Sequence, residues 1–284
     1  MEVRRYDEPA AFRRDVTPIL MRSPGRNSLP LAVIQTLVGQ PDIYPDFHLW
    51  LAVEAGVHVG LAMMTEPHNV IVGDPVDPLA LVALAHAVIS DGASTPGVIG
   101  NVPFAEEFAR YIADGTGRRI DRVLSEGVWE LNDVNDVPRV SGSARPAMPR
   151  DRDLIRMWLR AFAEEALPPE HPRDDDRTDA NIDHRLAGHG GGFWLWEDGG
   201  PVSLSGHYDL PGAGSRIGPV YTPPGLRGRG YATRLVAELS AARLELGDPA
   251  CFLFTDLANP ISNAIYERIG YVKLCDAEEY ALRD

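Results

Sequence analysis

The sequence predicts an α/β protein of two tandem domains, and three observations carry that expectation. Short strand-like runs alternate with longer runs of helical period. The order of these runs in the second half is echoed in the first, as in a divergent tandem repeat. A polar stretch, Asn132 to Gly142, which holds Asp133, Asn135, Asp136, Pro138, Ser141 and Gly142 without apolar periodicity, cuts the chain near its middle. The expected division is residues 1–132, a linker at 133–142, and residues 143–284. A length of 284 residues suits two domains of about 150 each, with room for proper cores.

In the second half, Arg150 to Leu167 reads as an amphipathic helix, with Leu154, Trp158, Leu159, Phe162 and Ala166 three to four residues apart. A second helix, Thr178 to Ala187, ends at Gly188. Strands Phe193 to Glu197 and Val202 to His207 flank Asp198-Gly199-Gly200, the sequence of a tight hairpin turn. Arg216 to Tyr221 is a third strand, and Gly230 to Leu246 a helix with Ala232, Leu235, Val236, Leu239 and Leu246 on one face and Gly247 as its cap. Cys251 to Thr255 reads as a buried strand. Pro260 to Ile269 is a helix with Asn259 at its N-cap, proline at its first position and Gly270 after its end. Strands Tyr271 to Leu274 and Glu279 to Leu282 follow.

The first half runs similarly. Phe47 to Val53 and Val57 to Met64 are strands around Ala55-Gly56, and Val70 to Val72 is a third. A helix from Pro78 to Ser90, a strand at Val98-Ile99, a helix from Pro103 to Asp114, and strands at Ile120 to Leu124 and Gly127 to Leu131 complete the order.

Composition bounds the function. With 44% hydrophobic and 24% charged residues the chain is an ordinary globular one, so wholesale disorder is excluded. A net charge of −14, with neither half basic, repels nucleic acid and anionic membrane surfaces and attracts a cationic small molecule or basic peptide. Cys251 and Cys275 are the only cysteines and lack metal-ligand spacing, so neither a disulfide framework nor structural zinc is expected. The N-terminus lacks the apolar stretch of a secretory signal. The longest apolar run, Leu79 to Ile89, is broken by His86 and falls short of the about 18 residues of a membrane span; a soluble, cytoplasmic protein is expected.

The most informative stretch runs from Ile217 to Thr233, a strand, a glycine-rich loop and a helix start. Gly228 and Gly230 let the backbone approach a ligand, and a loop opening onto a helix N-terminus turns unpaired N–H groups toward one point. That is a phosphate cradle. No Lys-Ser or Lys-Thr follows it, as a P-loop requires, and the G-x-G-x-x-G of dinucleotide folds is absent. Taken by itself, Arg-Gly-Arg-Gly also fits a flexible basic loop.

On these residues the second half resembles the GNAT acyl-CoA N-acyltransferases. Arg227, Gly228, Arg229, Gly230, Tyr231 and Ala232 match the family signature Arg/Gln-x-x-Gly-x-Gly/Ala at a strand–helix junction. Downstream, Asn259, Ser262, Tyr266 and Gly270-Tyr271 match Asn-x-x-Ala-x-x-x-Tyr-x-x-x-Gly-Phe/Tyr, with serine in place of the usual alanine. The resemblance covers residues 143 to 284 and is specific from Ile217 to Tyr271. It implies two tandem GNAT-like domains, each a mixed, mainly antiparallel sheet flanked by helices. It also implies an acetyl-CoA-dependent N-acetyltransferase that needs no metal and acts on a primary amine, or alternatively a non-catalytic acyl-CoA-binding or regulatory module.

The resemblance gives each matched position a task. Backbone amides from Gly228 through Arg229, Gly230, Tyr231 and Ala232 to Thr233 would hold the pyrophosphate, helped by the helix dipole, while Arg227 and Arg229 pair with phosphate oxygens. Val220 and Thr222 would bind the pantetheine arm through the main chain, and Pro219, lacking an N–H, would sit at a bulge or edge. Tyr266 matches the acid that protonates the departing thiolate, and it also fits a packed core tyrosine. Asn259 caps its helix, contacts the cofactor arm, or does both.

An amine acceptor must react neutral, and so needs a base. Glu164, Glu165, Glu197, His207, Tyr208 and Asp209 are the candidates, and the sequence does not choose among them. The run Glu170 to Asp183, with Asp174, Asp175, Asp176 and Asp179 opposed by Arg173 and Arg177, either attracts a cationic amine or forms a solvated loop. The first half lacks the signature and places Asp74 and Asp77 where a pyrophosphate would need donors. It is expected to be a degenerate copy that packs on the catalytic half and shapes the acceptor cleft. The oligomeric state is not legible.

Overall fold

A computed structural model of the chain describes residues 1–168, 172 and 174–284. It divides into two compact units, Met1–Val128 with Leu274–Asp284, and Trp129–Lys273.

The first unit contains β1 (Glu2–Arg5), α1 (Pro9–Leu20), α2 (Ser28–Gly39), β2 (Phe47–Glu54), β3 (Val57–Thr65), β4 (Val70–Val72), α3 (Leu79–Ser90), β5 (Gly97–Asn101), α4 (Phe104–Thr116) and most of β6 (Arg119–Leu131). β1 to β4 pair antiparallel in chain order, and β4 and β5 pair parallel. Alternation along β2 separates two cores. Leu49, Leu51 and Val53 pack with Phe12, Val16 and Leu20 of α1 and Ile34 and Leu37 of α2. Trp50 and Ala52 face the other way, toward Leu81 and Leu84 of α3 and Phe108 and Ile112 of α4.

The second unit repeats this order. It takes the end of β6, then β7 (Ser143–Pro146), α5 (Arg152–Ala166), α6 (Asp175–Leu186), β8 (Gly191–Glu197), β9 (Pro201–Leu210), β10 (Gly214–Tyr221), α7 (Tyr231–Glu245), β11 (Cys251–Asp256), α8 (Pro260–Ile269) and the start of β12 (Val272–Arg283). β7 to β10 pair antiparallel, and β10 and β11 parallel. One face carries α5 and α6, whose Ile155, Trp158 and Ile182 pack on Phe193, Leu195, Leu204 and Tyr221. The other carries α7 and α8, whose Val236, Leu239, Tyr266 and Ile269 pack with Ile217, Cys251 and Leu253. Each such side chain, fully buried, contributes roughly 1.5–3 kcal/mol.

Several features differ from the sequence expectation, among them β6, one strand where two were expected. β12 is one strand, and its residues 274–284 belong to the first unit, where Ala277 to Ala281 pair antiparallel with β5. The segment 133–142 belongs to the second unit and is packed: Val137 is buried with the α7–α8 core, and the Asn135 N–H donates to the Ile269 carbonyl at 2.8 Å. α6 starts three residues earlier than expected, because the Asp174 carboxylate accepts from the Arg177 N–H at 2.9 Å and caps it.

Candidate active site

β10 and β11 pair only at Ser215–Cys251 and Arg216–Phe252, and beyond these positions they part into a fork. On its other edge β10 is irregular. Its register with β9 shifts between Ile217 and Val220, where Pro219 lies after a cis peptide bond, so the expected bulge is present. The shift reverses the facing of the strand. Ile217 packs with the α7–α8 core, whereas Tyr221 packs with the α5–α6 core.

Past the fork, a short 3-10 turn at Pro224–Leu226 leads to Arg227 and the start of α7. Gly228 and Gly230 hold φ of 77° and 82°, a region that excludes most side chains, and a Cβ on Gly230 would lie 2.9 Å from Val140 Cγ1. Gly230 is the N-cap of α7 and no side chain caps the helix, so the N–H groups of its first turn face outward. Such a terminus favours an anion by roughly 0.3–1 kcal/mol. A backbone that can come close, an uncapped helix start and a strand fork leading to it suit a phosphate-bearing thioester, and the residues present fit acetyl-CoA on that ground.

The side chains around the cradle have separate duties. The Tyr231 hydroxyl donates to Asp198 at 2.5 Å and Thr233 is buried, so these two and half-buried Ala232 offer main chain. Arg229 is exposed. Arg227 donates through Nε to the Thr222 carbonyl at 2.8 Å and through Nη2 to Glu165 at 2.5 Å. Glu165, at the end of α5, also accepts from the Tyr221 hydroxyl at 3.3 Å. Burial, and then Glu165 itself, raise the Tyr221 pKa above the ordinary phenol value. The three form a hydrogen-bonded cluster on the α5–α6 face.

Tyr266 stands on the opposite face. It is buried in the α7–α8 core with Ile217, and Val220 packs at the margin of that core. Its ring meets Tyr271 edge-on at 5.9 Å, and its hydroxyl makes no hydrogen bond among the described residues. Burial pushes its pKa up to about 12, so it stays protonated. Asn259 caps α8, its Oδ1 accepting from the Ser262 N–H at 3.2 Å.

Residues 153–271 match the Acetyltransferase (GNAT) family, a span that holds both signature elements. The second half of the chain thus carries a GNAT acetyltransferase domain. It is 27% identical over 248 residues to mycothiol acetyltransferase of Streptomyces coelicolor, covering 79% of this chain and 76% of that protein. A GCN5-related N-acetyltransferase from Sphaerobacter thermophilus shares its fold with a TM-score of 0.61 at 17% identity, over 98% of this chain and 94% of the other. A tandem GNAT protein from the clavulanic acid biosynthesis pathway does so with a TM-score of 0.58 at 11% identity, over 99% and 98%. At such identities the likeness is one of fold, and it includes the first half.

Glu165 is itself exposed and ion-paired with Arg227, so exposure and pairing do not set it apart from the other base candidates. Glu164 is exposed and Glu197 is paired with Arg145 at 2.8 Å. His207 points to the α7 face; burial, then Arg243 and Arg185, push its pKa down to about 3. Asp209, opposite Ser215 in the closed part of the fork, pairs with Arg243 at 3.0 Å. Tyr208 lies under the Arg185 guanidinium. The acidic run is largely neutralised from α5: Asp175 pairs with Arg160, Asp179 with Arg156 and Asp183 with Arg152. Glu170 and Arg173 lie outside the described residues.

The equivalent fork of the first unit is stapled. Asp74, just past β4, pairs with Arg26 and accepts from Asn101 Nδ2, at the end of β5, at 2.7 Å. Among the described residues no group of three or more His, Cys, Asp or Glu could hold a metal ion, and no helix is long and apolar enough to cross a membrane. Sequence reasoning missed Tyr221 as part of the site. Its signal was present in the motif strand, but which face it takes depends on the bulge.

Proposed function

We propose that the second unit transfers an acetyl group from acetyl-CoA to a primary amine, directly, within a ternary complex. The observation that carries this is the fork between β10 and β11, which leads to the open cradle of Gly228 to Thr233 and has Tyr266 on one face and Glu165 with Tyr221 on the other. The donor supplies an activated acyl carbon and a thiolate leaving group, so the amine nitrogen forms the C–N bond as the C–S bond breaks. Main-chain groups of Val220 and Thr222 orient the pantetheine arm, and the amides from Gly228 to Thr233, with Arg229, hold the pyrophosphate. Glu165, directly or through the Tyr221 hydroxyl, takes the proton lost by the amine; Tyr266 gives its proton to the thiolate. The acceptor is a small-molecule or peptide amine, drawn as its ammonium to an acidic protein.

Release of free coenzyme A thiol tests this. The chain offered acetyl-CoA and a panel of amines liberates thiol, and Tyr266→Phe slows release while acetyl-CoA still binds. Binding of acetyl-CoA with no thiol release from any amine would leave a binding module instead.

A further inference from the structure

Arg185, on α6, is a buried cation that makes no ion pair among the described residues, although Asp209 lies close enough to favour its charge. It is 3% exposed, and its guanidinium carbon lies 3.8 Å from the centroid of Phe193 and 4.1 Å from that of Tyr208. Only Nη2 is used, donating to the carbonyls of Gly192 and His207 at 2.8 Å each. Nε is sealed from solvent without an acceptor, and Nη1 makes no hydrogen bond among the described residues. No ion pair forms there among those residues, and an uncompensated buried charge is costly. A cation held between two rings gains part of that back. A hydrophobic side chain would fill the same slot without the penalty.

The slot adjoins the site. A Cβ built on Gly206 would lie 2.6 Å from Arg185 Nη2 and 2.7 Å from the carbonyl oxygen of Gly218, the first residue of the β10 bulge. Phe193 belongs to the same α5–α6 core as Tyr221, so Arg185 and the Glu165–Tyr221 pair occupy one face of the fork. Gly206 leaves the room that Arg185 Nη2 occupies, and a Cβ on Gly218 would meet nothing within 4 Å, so the bulge beside the guanidinium is open.

We propose that Arg185 anchors the acceptor: the substrate is an amine that also carries a carboxylate, which pairs with the unused Nη1 donors on the face where Glu165 and Tyr221 receive the amine proton. This rests on the acyl-transfer reading above and narrows its substrate to amino-acid-like zwitterions. The carboxylate supplies a counter-charge to the guanidinium through Nη1, and Arg185 acts by binding and orientation, without touching the reacting bond.

The test compares amino acids with their carboxamides as acceptors, by thiol release at saturating acetyl-CoA. The carboxylate form should show a kcat/KM at least tenfold above its amide. Arg185→Lys should raise KM for the carboxylate form about tenfold while leaving kcat, the amide's KM and the KM for acetyl-CoA within about twofold. Equal use of acids and amides by the wild type, or an equal loss on both in the variant, overturns the proposal. If no amine releases thiol, the transfer reading fails, and thermal unfolding with N-acetylglycine against N-acetylglycinamide decides the anchor by itself. A shift with the acid alone supports it; equal shifts, or none, overturn it.

Discussion

The Tyr221 hydroxyl donates to Glu165 Oε1 at 3.3 Å, while Arg227, the first residue of the acyl-CoA signature, donates to Oε2 of the same carboxylate. One carboxylate thus links the cradle to the strand whose bulge opens the fork. Glu165→Gln keeps the size of the side chain and removes the base; kcat/KM for amines should fall by roughly 10²–10⁴-fold, the usual worth of a positioned base. Tyr221→Phe should cost less, since Glu165 remains. Both are read by steady-state thiol release, and a Glu165→Gln enzyme with unchanged kcat/KM would place the base elsewhere.

Tyr266 separates chemistry from folding. Its hydroxyl has no hydrogen-bond partner among the described residues, so Tyr266→Phe leaves no orphaned polar group and should unfold within about 1 kcal/mol of wild type. Single-turnover thiol release should nevertheless be slowed at least tenfold. Urea melts and quenched-flow traces read the two effects independently.

His207 makes stability depend on pH. It titrates near 3 in the fold and near 6.5 in the unfolded chain. Between those values the unfolded state binds a proton that the native state does not, so stability rises with pH, by up to about 1.4 kcal/mol per unit. The contribution is complete above about pH 6.5 and is lost as pH falls toward 3. His207→Gln should therefore flatten the curve of urea midpoint against pH between about 6.5 and 4; parallel curves for the two proteins would contradict this.

In the first unit, Asp74 does the opposite of the cradle. It draws Arg26 and Asn101 across the position where the second unit is open. Calorimetric titration should give one acetyl-CoA per chain. Asp74→Ala should destabilise the protein by about 1–3 kcal/mol, because Asn101 is buried and loses its charged acceptor.

The return of β12 to the first unit also has a measurable consequence. Tyr280 and Leu282 are buried in the α3–α4 core, and β5 pairs with Ala277 to Ala281. A chain ending at Lys273 should lose at least about 3 kcal/mol of stability from those two side chains.

Much of this was legible from local pattern. α8 has the bounds that its Asn-Pro start and Gly end announce, and β4 those of its Val-Ile-Val run. The cradle was readable because glycines at fixed spacing have a backbone meaning independent of context. α1 and α2 were not assigned: α1 carries Pro18 inside, and α2 is apolar on most sides with Pro30 in its first turn. β1 and β7 are short strands whose side chains are mostly exposed or half-buried, so they lack apolar alternation. The partner of β12 and the reversal of Tyr221 depend on long-range pairing and on a bulge, which no periodicity encodes. Arg185 was missed for a related reason. An arginine near a helix end reads as solvated until Phe193 and Tyr208 are seen around it.

Thermal unfolding with and without acetyl-CoA, for wild type and Gly230→Glu, tests the central claim most directly. The cradle predicts that ligand at about 100 times its dissociation constant stabilises wild type by about 2.7 kcal/mol and leaves the variant, whose side chain fills the helix start at a φ of 82°, unshifted. A well-folded wild type that does not shift, or a variant that shifts equally, would contradict it.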